Sequence, residues 1–235
     1  MDADHTKPDH TKPDNTKPDN TKPANTKAEL ERLLQLRNDH PERSLEIEAQ
    51  IHQRFGITGA VLVLDLAGFS RLTLRYGIVH FLGLLQRLRA IAYPILKDHG
   101  GTLVKQEADN LFATFPDAET AVKGAIAILQ GLQAVNATLP DMEDVQAGIG
   151  IGYGDLLLIE GKDMFGSEMN LASKLGEDLA RSGEILLTQQ AMVRLMRQNT
   201  ELAAKAELVE LSTSGLSIPT YQFVVRRGVL QIPES

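Results

Sequence analysis

The stretch Ala60-Val61-Leu62-Val63-Leu64-Asp65-Leu66-Ala67-Gly68-Phe69-Ser70 decides how the chain is read. Its apolar residues run on without a polar interruption and stop at a carboxylate. A run so short and so apolar predicts a buried central strand with Asp65 at its end. Ala67-Gly68 then makes an irregular turn, and Phe69-Ser70 open a helical pattern.

Outward from that strand the pattern stays regular. Residues 70–98 read as helix, broken near Gly77, with Leu82, Leu85, Leu88, Ile91 and Ile95 facing inward. His99-Gly100-Gly101 ends it as a glycine C-cap does. Thr102–Lys105 and Leu111–Phe115 read as a strand pair joined by Gln106-Glu107-Ala108-Asp109-Asn110. Pro116-Asp117 caps a helix to about residue 136. Residues 145–159 read as two strands around Tyr153-Gly154-Asp155. A helix over about 167–180 follows, then a strand at Glu184–Leu187 and a helix over about 188–198. Two late strands lie near 206–211 and 220–225. The core order βαββαβ predicts an α+β, ferredoxin-like fold, an antiparallel sheet with helices on one face.

The ends of the chain read differently. Residues 1–27 carry a pentad repeat, from Asp4-His5-Thr6-Lys7-Pro8 to a decayed Ala24-Asn25-Thr26-Lys27. A proline every five residues blocks helix and sheet ladders, so this tail is expected to be disordered. Its Asp and Lys charges cancel, five against five, which leaves the net charge in the folded part. Residues 28–57 read as a helical arm of two short helices broken at Pro41. The arm suits either a dimerisation or signalling helix or a segment packed on the domain. The catalytic domain is expected over 58–227 and a short tail over 228–235.

Composition narrows the function. The 235 residues include no cysteine, which excludes disulfides, thiolate metal sites and a cysteine nucleophile. The net charge of -7 argues against a general nucleic-acid or anionic-membrane binder. No run of 18 apolar residues occurs and the N-terminus lacks a signal-peptide pattern, so a cytoplasmic protein is expected. H-E-x-x-H, G-x-x-x-x-G-K-[ST] and G-x-S-x-G are all absent.

Asp65 and Asp109 are the candidate pair. Taken singly, Asp65 reads as a helix N-cap and Asp109 as a turn residue. On a split βαβ sheet the first strand and the hairpin are neighbours, so the carboxylates converge beside a helix N-terminus. Two hard cations and a triphosphate need that combination.

The motifs then become specific. Val63-Leu64-Asp65-Leu66-Ala67-Gly68-Phe69-Ser70 resembles the first metal motif of class III nucleotidyl cyclases, the adenylyl and guanylyl cyclases. His99-Gly100-Gly101 with Lys105–Asp109 resembles their second. Gly148–Gly154 resembles their glycine-rich strand pair, and Phe165–Leu175 their asparagine-bearing helix. Gly183-Glu184-Ile185 matches the segment that follows. The resemblance covers roughly residues 58–225, in order. It implies a head-to-tail homodimer with its sites at the interface. Asp65, Asp109 and the Leu66 carbonyl would hold two divalent cations, Mg²⁺ or Mn²⁺. Amides from Ala67, Gly68, Phe69 and Ser70 would hold phosphate oxygens. Lys105 and Asp163 would read adenine from the other subunit, and Asn170 would orient the ribose. The implied reaction converts ATP to cyclic AMP and pyrophosphate. Diguanylate cyclases share the topology, but their G-G-[DE]-E-F turn is absent.

Three departures bear on activity. The family's transition-state arginine is Lys174, which loses the planar fork. The strand pair around Glu210–Tyr221 lacks the phosphate-binding lysine. The turn glycine is Ala108, and Glu107 replaces an apolar residue. Glu107 suits a metal or base contact or a solvent position, the last being preferred. The alternatives to an adenylyl cyclase are a cyclase for another nucleotide and a degenerate domain that binds nucleotide or only dimerises.

Overall fold

A computed structural model describes residues 25–213 and 216–232. The repeats up to residue 24 lie outside the described residues, and so does the expectation for them. Two helices, α1 (Lys27–Asp39) and α2 (Ser44–Phe55), lead directly into strand β1 (Gly56–Leu66). Asn25 and Thr26, expected in the tail, are part of this arm. Thr26 caps α1 by accepting from Glu29 N. The Asn25 side chain donates to the Leu158 carbonyl at 2.9 Å and accepts from Glu160 N at 3.3 Å.

Helices α3 (Phe69–Tyr76) and α4 (Ile78–Asp98) follow, with Gly77 between them at φ 87°. Strands β2 (Thr102–Glu107) and β3 (Asn110–Phe115) form the hairpin, and α5 (Ala118–Asn136) returns behind the sheet. Strands β4 (Ala147–Ile159) and β5 (Asp163–Phe165) precede α6 (Ser167–Ser173), which continues as a π-helix over Lys174–Leu179. Then come β6 (Glu184–Leu187), α7 (Gln189–Gln198), α8 (Thr200–Ala203), β7 (Glu207–Thr213), β8 (Leu216–Arg226) and β9 (Val229–Leu230).

The sheet order is β2-β3-β1-β4-β6-β8-β7. Its first four strands have the ferredoxin-like order, each antiparallel to its neighbour. Strand β6 joins β4 in parallel, so the complete sheet is mixed. The stretch expected as two strands over 145–159 is one long strand, β4, from Ala147 to Ile159. Tyr153-Gly154-Asp155 stays in register with Ala60, Gly59 and Thr58 of β1, which holds the chain straight across the glycine.

Strand β1 is central and buried on both faces, as its unbroken apolar run requires. Ala60, Leu62, Leu64 and Leu66 point into the main core with α4, α5 and α7. Val61 and Val63 point the other way, into a smaller cluster with Val104, Phe112, Leu156, Met164 and Ala172. The expected helical layer is thus α4, α5 and α7, while α6 covers part of the opposite face. Glycine spacing explains that second cover. A Cβ on Gly150 would stand 2.0 Å from the Ala172 carbonyl oxygen, and one on Gly152 would stand 2.5 Å from that of Glu168. Only a strip without side chains lets a helix backbone come so close.

The arm packs on its own domain. Leu30, Leu33, Ile47, Ile51 and Phe55 form a third cluster with Ile159 at the far end of β4.

Candidate active site

Asp65 is the penultimate residue of β1, paired with Gly148 of β4. On the other side Leu64 pairs with Leu111 of β3, just beyond the hairpin turn that holds Asp109. The register therefore brings Asp65 and Asp109 to one end of the sheet. Ala108, in the turn, has φ 49°, the left-handed conformation that favours glycine.

The electrostatics agree with their closeness. Asp65 is pushed up to about 7, chiefly by burial and then by the charges of Asp109, Glu177 and Asp178. Glu177 is also held above the usual carboxylate range, by burial and then by Asp178, Asp109 and Glu107, against a hydrogen bond with Ser173. Sequence reading missed Glu177. Read as a regular helix over 167–180, the segment gives no reason to expect the charge of Glu177 to act on Asp65. The π-helix widens the turn there. A Cβ on Gly176 would stand 2.6 Å from the Val63 carbonyl, which seats this segment on β1. The signal in the sequence is the acidic pair Glu177-Asp178 directly behind Lys174-Leu175-Gly176.

Gly68 has φ 89° and turns the chain into α3. The amides of Phe69 and Ser70 lie in the first turn of that helix, where N–H groups have no partner within the helix. Ala67 departs from expectation. Its amide donates to the Gln146 carbonyl at 2.8 Å, extending the β1–β4 ladder by one rung, and so is spent on the fold. Leu66 is buried and pairs with Ala147.

Lys105 and Asp163 meet in one chain. Lys105 Nζ lies 2.9 Å from Asp163 Oδ1 and 3.1 Å from Glu107 Oε1. Burial works against the ammonium, but hydrogen bonds to Asp163 and Glu107 outweigh it and raise its pKa. Asp163 is placed by β5, which pairs with β4 through Ile159, and its carboxylate also accepts from Met164 N at 2.9 Å. Gln106, on the opposite face of β2, accepts from Arg89 Nε and Tyr93 Oη of α4, each at 2.7 Å. These bonds fasten β2 to the helical layer.

Asn170 is exposed on α6. Earlier on the same helix, Glu168 is buried and accepts from Thr188 Oγ1 at 2.6 Å and Tyr153 N at 3.1 Å. Sequence reading missed this clamp, which ties α6 to β4 and to the start of α7. Lys174 begins the π-helix and pairs with Asp178 at 3.2 Å. Ser214 and Gly215, within the segment lacking the phosphate lysine, lie outside the described residues.

The donor set suits a hard divalent cation. Among the described residues no three His, Asp or Glu side chains form a ready-made cage. Such ions are commonly held by one or two carboxylates with the remaining oxygens from water and substrate phosphates. Asp65, pushed up by burial and by neighbouring acids, is a site where a positive ion relieves repulsion.

The fold and the converging carboxylates define a ferredoxin-like α+β domain with an acidic pair at one end of its sheet. No family model matches the sequence. A putative adenylate cyclase 3 from Rhizobium meliloti is 30% identical over 129 residues, 55% of this chain and 22% of that protein. An adenylate cyclase from Streptomyces coelicolor is 29% identical over 171 residues, 71% of this chain and 43% of that protein. The chain thus spans less than half the length of these curated relatives. Among solved structures, an adenylate/guanylate cyclase/hydrolase from Silicibacter pomeroyi superposes with a TM-score of 0.63 at 27% identity, over 73% of this chain and 98% of that one. An adenylyl cyclase from P. aeruginosa shares the fold, with a TM-score of 0.55 at 20% identity, over 77% of this chain and 96% of that one. In sequence and in fold the chain is similar to class III adenylate/guanylate cyclase domains.

Proposed function

We propose that this domain is an adenylyl cyclase that converts ATP to cyclic AMP and pyrophosphate as a homodimer. The observation that carries the reading is the half-buried Asp65 beside Asp109, at the strand end next to the first turn of α3. Asp65, Asp109 and the Leu66 carbonyl would hold two Mg²⁺ or Mn²⁺ ions. When bound, the ions supply positive charge that acidifies the ribose 3′-hydroxyl and neutralises the leaving pyrophosphate.

The chain's own residues do the rest. The Phe69 and Ser70 amides donate to phosphate oxygens at the positive end of α3. Lys105 donates to adenine N1, and Asp163 accepts from the exocyclic amine. Asn170 holds the ribose so that its 3′-oxygen faces the α-phosphorus in line with the departing pyrophosphate. Lys174 brings positive charge to the α-phosphate oxygens as charge develops there. The metal half of each site comes from one subunit and the base-reading half from its partner, so two copies make two sites.

A second reading has one observation in its favour. Lys174 is paired with Asp178, so its charge is partly spent within its own helix. A domain that binds nucleotide or dimerises without turnover would fit that pairing. The same assay separates the readings, and also a cyclase for another nucleotide. Purified protein with Mn²⁺ is given ATP, GTP, CTP or UTP, with Asp65→Ala as the blank, and cyclic products are measured by mass spectrometry. Cyclic AMP above the blank supports the adenylyl reading, and a different cyclic nucleotide redirects it. No product from any of the four leaves the regulatory reading.

A further inference from the structure

The Lys105 ammonium sits between two carboxylates supplied by two different strands. Glu107 lies two residues along β2, so its side chain leaves the same face of the strand as Lys105. Its Oε1 is 3.1 Å from Lys105 Nζ, and Asp163 of β5 is 2.9 Å from the same nitrogen. The Phe112 ring lies beneath, with its centroid 4.8 Å away. The Lys105 side chain is 15% exposed, whereas that of Glu107 is 63% exposed. Glu107 therefore faces solvent, as preferred from sequence, yet is paired.

An ammonium has three N–H donors and no acceptor. Two donors are taken by carboxylates and one is left for a ligand. The group is one ammonium held by two carboxylates, with one net negative charge, where a Lys–Asp pair alone would be neutral. The edge of adenine presents an acceptor, N1, beside a donor, the N6 amine. The edge of guanine presents an acceptor, O6, beside two donors, N1–H and the N2 amine. Both bases need an ammonium next to a carboxylate, but in opposite order along the edge. An ammonium with a carboxylate on one side reads one order. An ammonium with carboxylates from two strands offers both, reached by moving the base from one carboxylate to the other.

We propose that Glu107 is a specificity-determining residue that, as the second carboxylate on Lys105, opens the base pocket to guanine as well as adenine. This rests on Lys105 and Asp163 being the base-reading pair. The guanine N1–H and N2 amine bind Glu107 while O6 accepts from Lys105. Adenine uses Asp163 and Lys105 and leaves Glu107 to solvent. A charge-assisted hydrogen bond at a partly exposed position shifts binding by about tenfold.

The test is displacement of a fluorescent N-methylanthraniloyl ATP from the full chain, with Mn²⁺ present, by ATP and by GTP. Wild type, Glu107→Leu, Glu107→Gln and Lys105→Ala are compared. Wild type is expected to bind the two purine nucleotides within about tenfold of each other. In both Glu107 variants the preference is expected to move about tenfold toward ATP. A wild type that rejects GTP by about a hundredfold or more overturns the proposal, as does an unmoved preference in both Glu107 variants. Lys105→Ala locates the failure. If that variant loses base discrimination while the Glu107 variants keep it, only the role of Glu107 falls. If it too leaves the preference unmoved, the base-reading assignment falls with it.

Discussion

Asp65 carries the strongest electrostatic stress in the site. Its carboxyl is pushed from 3.8 to about 7 by burial and by Asp109, Glu177 and Asp178. Between those values the folded state binds more protons than the unfolded chain, so this group makes stability fall as pH rises. The effect is absent below pH 3.8 and complete above about 7. Asp65→Asn is therefore expected to raise the melting temperature of metal-free protein at pH 8 and to leave it little changed at pH 4. Calorimetry in EDTA at the two pH values checks this, and a variant less stable than wild type at pH 8 contradicts it. Mn²⁺ is expected to stabilise wild type more than the variant, because the ion replaces the proton as the partner of the acids. Lys174 invites the converse change. Arginine there restores a planar fork that grips two phosphate oxygens. Lys174→Arg is expected to raise kcat by about tenfold with little change in KM. Steady-state kinetics decide, and an unchanged kcat shows that this position does not meet the transition state.

The α6 helix and its π continuation reach the site because β4 presents a strip of glycines to them. Gly150→Ala would put a methyl 2.0 Å from the Ala172 carbonyl oxygen. Backbone has to move, and the expected cost is about 1–3 kcal/mol or more. Gly83, inside α4, has open space where a Cβ would stand, so Gly83→Ala is expected to stabilise by about 0.5–1 kcal/mol. Urea denaturation of the two variants gives opposite shifts if close approach, and not flexibility, is why glycine stands at residue 150. The arm offers a second test among elements. Phe55 is fully buried against Ile47, Ile51 and Ile159. Phe55→Ala is expected to cost about 3–5 kcal/mol. A loss under about 1 kcal/mol would show that the arm is not seated on β4 in solution.

The proposed reaction would need two copies of the chain, each site drawing its metal half and its base half from different subunits. Asp65→Ala and Lys105→Ala damage opposite halves. Each variant alone is expected to be nearly inactive, and an equal mixture to recover about a quarter of wild-type turnover. Half of randomly paired dimers are mixed, and each mixed dimer has one intact site of two. A mixture no more active than its components would remove the shared-site arrangement. Gel filtration of each variant checks that dimers persist.

Much of this is already present in the order of residues. The apolar run ending at Asp65, the hairpin around Asp109 and the following helix follow from local patterning, and they set the ferredoxin-like order. The pairing of Lys105 with Asp163 is legible through resemblance and not through spacing, since 58 positions of chain separate them. Other features need the folded chain. That Ala67 spends its amide on Gln146 depends on how far the β1–β4 ladder runs, which is a matter of register between distant strands. That the charge of Glu177 acts on Asp65 depends on where a π-helix carries it, and the widened turn breaks the periodicity by which helix faces are read from sequence. That Glu107 shares Lys105 with Asp163 depends on β5 folding back along β4. Local sequence determines which segments become strand or helix because those preferences act over a few residues. The charge environment of Asp65 and Lys105 is decided by tertiary structure, because carboxylates distant in sequence act on them through a few ångströms of space.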